Sequence, residues 1–128
     1  MALKIGDKAP NFTLFNQDGE AVSLSDFKGK NVVVLFFPAA NTGACTKELC
    51  TFRDEFKVYE KLNAQVLGIS TDTHFSLKMF HEKNNYNFPL LSDFNKNVIP
   101  IYDVVLDVFV PGKFDYLNTA KRAAFVVD

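Results

Sequence analysis

Tryptophan is absent from this 128-residue chain, cysteine occurs only twice, and apolar runs are short. Two cysteines are too few to staple a small secreted domain, and too few for a four-cysteine zinc or iron–sulfur site. They leave a thiol pair with a chemical task or two inert core thiols. The longest apolar stretch, Val32 to Phe37 running on through Pro38 to Ala40, falls far below the ~20 residues that span a bilayer. The opening Met1-Ala2-Leu3-Lys4-Ile5-Gly6-Asp7 has no apolar h-region. Neither sign of charge dominates: 14 Lys and Arg against 15 Asp and Glu give a net charge of −1. No strong field therefore favours nucleic acid or an acidic membrane surface as partner. These absences point to a soluble cytoplasmic protein, where a lasting structural disulfide is disfavoured and a transient one is not. Repeats, low-complexity tracts and flexible linkers are missing too, so residues 1–128 read as a single domain.

What is present is enough apolar material for a core, 48% of the chain, with 14 phenylalanines. Phe12-Thr13-Leu14-Phe15, an Asp18-Gly19 turn and the run from Ala21 to Leu24 predict a hairpin. Asn31-Val32-Val33-Val34-Leu35-Phe36-Phe37 is continuous rather than alternating, the pattern of a strand covered on both faces. Over 42–62 the period changes: Cys45, Leu49, Phe52, Phe56, Tyr59 and Leu62 recur at three- and four-residue steps, predicting one amphipathic helix. Strands are expected at 65–70, 88–91 and 123–127, and helices at 76–84 and 95–103. Asp93 would cap the second of these helices and Pro100 would kink it. Alternation of this kind predicts an α/β fold with a central mixed sheet, helices on both faces and an N-terminal hairpin.

The segment richest in chemistry runs from Phe36 to Asp54. A buried strand ends at Pro38, a short loop follows, and Cys45 falls in the first turn of the predicted helix. Unpaired N–H groups and the positive end of the helix dipole stabilise an anion there. A thiol in that position ionises more readily than a free one, and the thiolate is the nucleophile. Taken alone, the same position also suits a small apolar residue on the buried helix face. Thr42 is placed as a helix N-cap, and Thr71-Asp72-Thr73 as the cap of the next helix. His74 and His81, seven apart and far from other ligand types, read as packing residues rather than metal ligands.

Pro38, Thr42 and Cys45, spaced as Pro-x-x-x-Thr-x-x-Cys directly after a hydrophobic strand, resemble the active-site signature of the peroxiredoxins. The likeness extends over nearly the whole chain. It includes Ile5-Gly6-Asp7-Lys8-Ala9-Pro10-Asn11-Phe12, Phe52-Arg53-Asp54, Ile69-Ser70-Thr71-Asp72, Leu91-Ser92-Asp93 and Lys121-Arg122-Ala123-Ala124-Phe125-Val126-Val127-Asp128, in the family's order. Departures fall at Ala39-Ala40-Asn41, where the family's loop is often bulkier, and at Pro100.

The resemblance implies a thioredoxin-like fold and a thiol peroxidase. Cys45 would be the peroxidatic cysteine, becoming a sulfenic acid. Thr42 would orient thiolate and peroxide, Pro38 would shield them from water, and Arg122 would lower the thiolate pKa and stabilise charge on the departing oxygen. Glu48, one helical turn beyond Cys45, would orient Arg122. Cys50 matches the resolving cysteine of bacterioferritin-comigratory types, closing an intramolecular disulfide with Cys45; in alkyl hydroperoxide reductase E types that second thiol is inert. Five helical residues separate Cα atoms by roughly 8.6 Å, beyond the ~7 Å a disulfide allows. The start of the helix must therefore unwind before the two sulfurs meet.

The implied partners are a hydroperoxide, a thioredoxin-like dithiol reductant and a second copy in a homodimer, with no nucleic acid and no membrane. No metal, haem or flavin is called for, because sulfur is the redox centre. Other readings are a non-catalytic thioredoxin-like binding module and a general disulfide oxidoreductase, the latter at odds with Cys-x-x-x-x-Cys spacing. Family members usually continue past the Val-Val-Asp segment, so the chain is expected to lack a final strand–helix unit.

Overall fold

The computed structural model describes residues 6–40, 43–109, 112–113 and 116–127, with the side chains of 43–45, 56, 108–109 and 116–118 outside that description. In order, the elements are β1 (Thr13–Asn16), β2 (Ala21–Ser23), a 3-10 turn (Leu24–Phe27), β3 (Asn31–Phe36), α1 (Gly43–Asp54), α2 (Phe56–Lys61), β4 (Ala64–Ser70), α3 (His74–Asn84), β5 (Leu90–Ser92), β6 (Val105–Phe109), β7 (Tyr116–Ala120) and β8 (Ala123–Val127). No helix among the described residues is long and apolar enough to cross a membrane.

Six strands form one sheet in the order β2-β1-β5-β4-β3-β8. Strands β3, β4 and β5 run parallel; β8 lies antiparallel to β3, and β1 antiparallel to β5. The hairpin forms at Asp18-Gly19 as expected. Asn16 Oδ1 accepts the N–H groups of Asp18 and Glu20, and Gly19 takes φ +76°, where a side chain would be strained.

The alternation hidden in the continuous run of β3 sorts its residues between two cores. Val32, Val34 and Phe36 join Leu67, Ile69, Leu91, Ile99 and Tyr102 on one face. Val33, Leu35 and Phe37 join Leu49, Leu77, Phe80, Phe88 and Leu90 on the other. All three α-helices contribute to the second core, through Leu49 and Phe52, Tyr59, and Leu77 and Phe80. The first core is roofed by the 3-10 turn, through Leu24 and Phe27, and by turns that place Val98, Ile99, Tyr102 and Val104.

Three local expectations need correction. The helix expected over 42–62 is two, α1 and α2, broken at Glu55, whose φ −96° and ψ 16° leave the helical well. One turn earlier the Thr51 hydroxyl donates to the Lys47 carbonyl at 3.0 Å, a contact that loosens the helical ladder. The segment 95–103 is a chain of turns, not a helix. Lys96 and Asp103 stand at φ 58° and 55°, outside the right-handed well. Asp93 does cap, but it caps those turns: its carboxyl group accepts from the N–H groups of Asn97, Val98 and Ile99. Finally, β5 starts at Leu90 rather than at Phe88, because Pro89 has no N–H to give the ladder.

The antiparallel pair β6–β7 forms a second sheet that the pattern reading does not anticipate. Pro111-Gly112 between apolar runs is the hairpin signal that would have found it.

Candidate functional site

Parallel strands end together, and the carboxyl ends of β3, β4 and β5 converge at one edge of the sheet. That is where α/β folds place their sites. From β3 the chain passes through buried Pro38 toward α1, and Phe37 N–H donates to Ile69 O at 3.0 Å, fixing the exit beside β4. Cys45 is the third residue of α1, so its backbone lies in the helix's first turn; its side chain, and all of Thr42, lie outside the described residues.

Arg122 comes to the same edge from 77 positions away in sequence. The β3–β8 register pairs Phe36 with Ala123, which sets Arg122 beside the exit of β3. There Arg122 Nε stands 3.1 Å from Glu48 Oε2. The pair thus ties β8 to α1 one turn beyond Cys45. Burial pushes the Glu48 carboxyl above its ordinary value of 4.5, and the Arg122 guanidinium partly pulls it back. The Arg122 side chain is 46% exposed, so the pair serves position and local potential more than stability.

A residue the sequence reading assigned only to a helix cap anchors the loop. Asp72 Oδ2 accepts the Ala40 N–H at 2.7 Å and the Ser70 hydroxyl at 2.7 Å. Ser92 Oγ donates to Asp72 O. The carboxyl group of Asp72 therefore joins the end of β4 to the loop before α1, and its backbone carbonyl adds the end of β5. The helix cap itself is Thr73, whose hydroxyl accepts the Ser76 N–H. No local pattern joins Asp72 to Ala40, 32 residues apart in sequence.

Cys50 lies on α1 as a free, partly exposed thiol. Its Sγ meets Asn84 Oδ1 at 3.8 Å and Tyr86 OH at 3.7 Å, at the C-terminal end of α3. Both cysteines fall within the continuous span of α1, so the helical spacing of roughly 8.6 Å between their Cα atoms applies to this form. The two histidines take separate places: His74 packs on Phe75, and His81 Nε2 lies 3.2 Å from Phe88 O.

Residues 5–128 match the model of the AhpC/TSA family. Peroxiredoxin Q of Oryza sativa subsp. japonica, named as chloroplastic, is 48% identical over 114 residues, which are 88% of this chain and 52% of that protein. The chain thus spans about half the length of the plant relatives it matches. The putative peroxiredoxin bcp of Coxiella burnetii is 41% identical over 128 residues, 100% of this chain and 83% of that one. Among solved structures, peroxidoxin BcpB of Mycobacterium tuberculosis superposes with a TM-score of 0.85 at 37% identity, covering 96% of this chain and 77% of its own. A strand leading through buried proline to a cysteine in a helix's first turn, an arginine delivered by the antiparallel neighbour, and likeness along the whole chain lead to one conclusion: this chain belongs to the AhpC/TSA family, among relatives named peroxiredoxin Q and bcp.

Proposed function

We propose that the chain is a thiol-dependent peroxidase acting on hydrogen peroxide and organic hydroperoxides. The observation that carries this is the Glu48–Arg122 pair, 3.1 Å apart and one helical turn beyond Cys45, at the carboxyl edge of the sheet. A helix N-terminus and a permanent cation both favour the thiolate. In the first step the Cys45 sulfur attacks one oxygen of the hydroperoxide and the O–O bond breaks. Arg122 stabilises the departing alkoxide or hydroxide, which takes a proton and leaves as alcohol or water. Thr42 orients the peroxide, and Pro38 keeps water off the sulfur. In the second step the Cys50 thiolate attacks the Cys45 sulfenic acid, the S–O bond breaks, the departing hydroxide takes a proton and leaves as water, and the disulfide is left two electrons more oxidised than the two thiols, those electrons having gone to the peroxide. A thioredoxin-like dithiol restores both thiols by exchange. Residence in a reducing compartment such as the cytoplasm, and assembly as a homodimer, belong to the same reading.

Peroxide consumption by the reduced protein with a dithiol reductant tests it. The parent should turn over, Cys45→Ser should fall to the rate of buffer, and Cys50→Ser should react once and then stall. Consumption by Cys45→Ser at the parent's rate would overturn the proposal. Full multiple turnover by Cys50→Ser would instead make this a one-cysteine peroxidase.

A further inference from the structure

Cys50 is held by more than its own packing. The Asn85 backbone at φ 52°, ψ 46° ends α3 in a left-handed cap and turns residues 84–87 onto the C-terminal half of α1. Four contacts cross this seam. Two are the thiol's, to Asn84 Oδ1 and to the Tyr86 hydroxyl. In the third, Arg53 Nη1 donates to Asn84 O at 2.5 Å; in the fourth, Asn87 Nδ2 donates to Arg53 O at 3.3 Å. The turn is packed into the second core. Tyr86 is buried and packs edge-on against Phe80, at 5.1 Å between ring centres, and Asn84 Nδ2 donates to Phe80 O. By contrast, the second turn of α1, one turn beyond Cys45, is joined to the start of β8 through the Glu48–Arg122 pair, which is partly open to water.

Five helical positions carry Cys50 about 140° around the helix axis from position 45, and its sulfur faces this turn. The sulfur must therefore leave its place before it can attack a sulfenic acid on Cys45. We propose that Arg53, Asn84 and Tyr86 form a latch that holds Cys50 in the helical form and so sets the rate of resolution, apart from the rate of peroxide attack. This inference rests on Cys50 being the resolving cysteine. The chemistry it governs is the second step alone: Cys45 S–OH and Cys50 S–H become the disulfide and one water, with no further oxidant. A slow latch keeps the sulfenic acid exposed longer, so a second peroxide can carry it to sulfinic acid. Arg53, Asn84 and Tyr86 act as positioning residues; none touches the peroxide.

The test uses full-length Tyr86→Phe, which keeps the ring and removes the hydroxyl, and Arg53→Gln, with Arg53→Lys as the conservative control. Two rates are read after one equivalent of hydrogen peroxide: formation of sulfenic acid, and appearance of the Cys45–Cys50 disulfide. Sulfenic acid formation should be unchanged. Disulfide formation should quicken by roughly twofold to tenfold, the range that loss of one ordinary hydrogen bond gives. The sulfinic acid fraction at high peroxide should fall in step, and Arg53→Lys should lie between parent and Arg53→Gln. Disulfide formation at the parent's rate or slower would overturn the latch, as would equal slowing of both steps, the mark of general structural damage. Absence of any Cys45–Cys50 disulfide in the parent would overturn the resolving role itself, and the latch with it.

Discussion

Glu48 meets two opposing demands, since its carboxyl group is partly buried and yet must stay charged to hold Arg122. Its folded-state pKa is raised, with burial the larger cause. The fold thus favours the protonated form. Its contribution to stability is complete below the ordinary value of 4.5 and is lost as pH rises through the raised one. Glu48→Gln removes that loss. Urea unfolding across a pH series should show the variant gaining on the parent as pH climbs past 4.5, while its peroxide reactivity falls because Arg122 has lost its ionic partner. An offset that stays constant with pH would contradict this account. The end of the buried strand at Pro38 and the helical step from Cys45 to Glu48 were legible in the residue pattern, whereas Arg122 was legible only through the family resemblance. Asp72, Asn84 and Tyr86 were legible in neither. Their contacts with the loop and α1 cross 32, 34 and 36 residues, and nothing local marks them.

Among the elements, strands were read more surely than helices. Continuous β-branched runs such as Val32-Val33-Val34 leave little choice but a doubly buried strand, and the hairpin at Asp18-Gly19 is fixed by turn chemistry. The segment after β5 misled because its apolar spacing suits a helix while its capping suits a turn. Asp93, at 1% exposure, spends both carboxyl oxygens on three successive N–H groups. Those bonds seat Val98, Ile99 and Tyr102 over the first core. Asp93→Ala would leave these donors without their acceptor, and urea denaturation should report a loss of about 3 kcal/mol. A loss below about 1 kcal/mol would show that the turns hold without it.

Across the whole molecule, the sheet divides the work. One face carries an aromatic core of Phe12, Phe36, Tyr102 and Phe125 that no proposed step disturbs. The other carries α1, whose two cysteines sit in one continuous helix that must open locally for them to join. The central claim is that Cys45 is the nucleophile and Cys50 its resolver. Its most direct test is peptide mass mapping of the reduced protein after one equivalent of hydrogen peroxide, with free thiols blocked at the end. The account predicts a peptide pair joined through Cys45 and Cys50, with two hydrogens lost. Recovery of both cysteines as blocked thiols, or of Cys45 oxidised beside an unchanged Cys50 thiol, would contradict it.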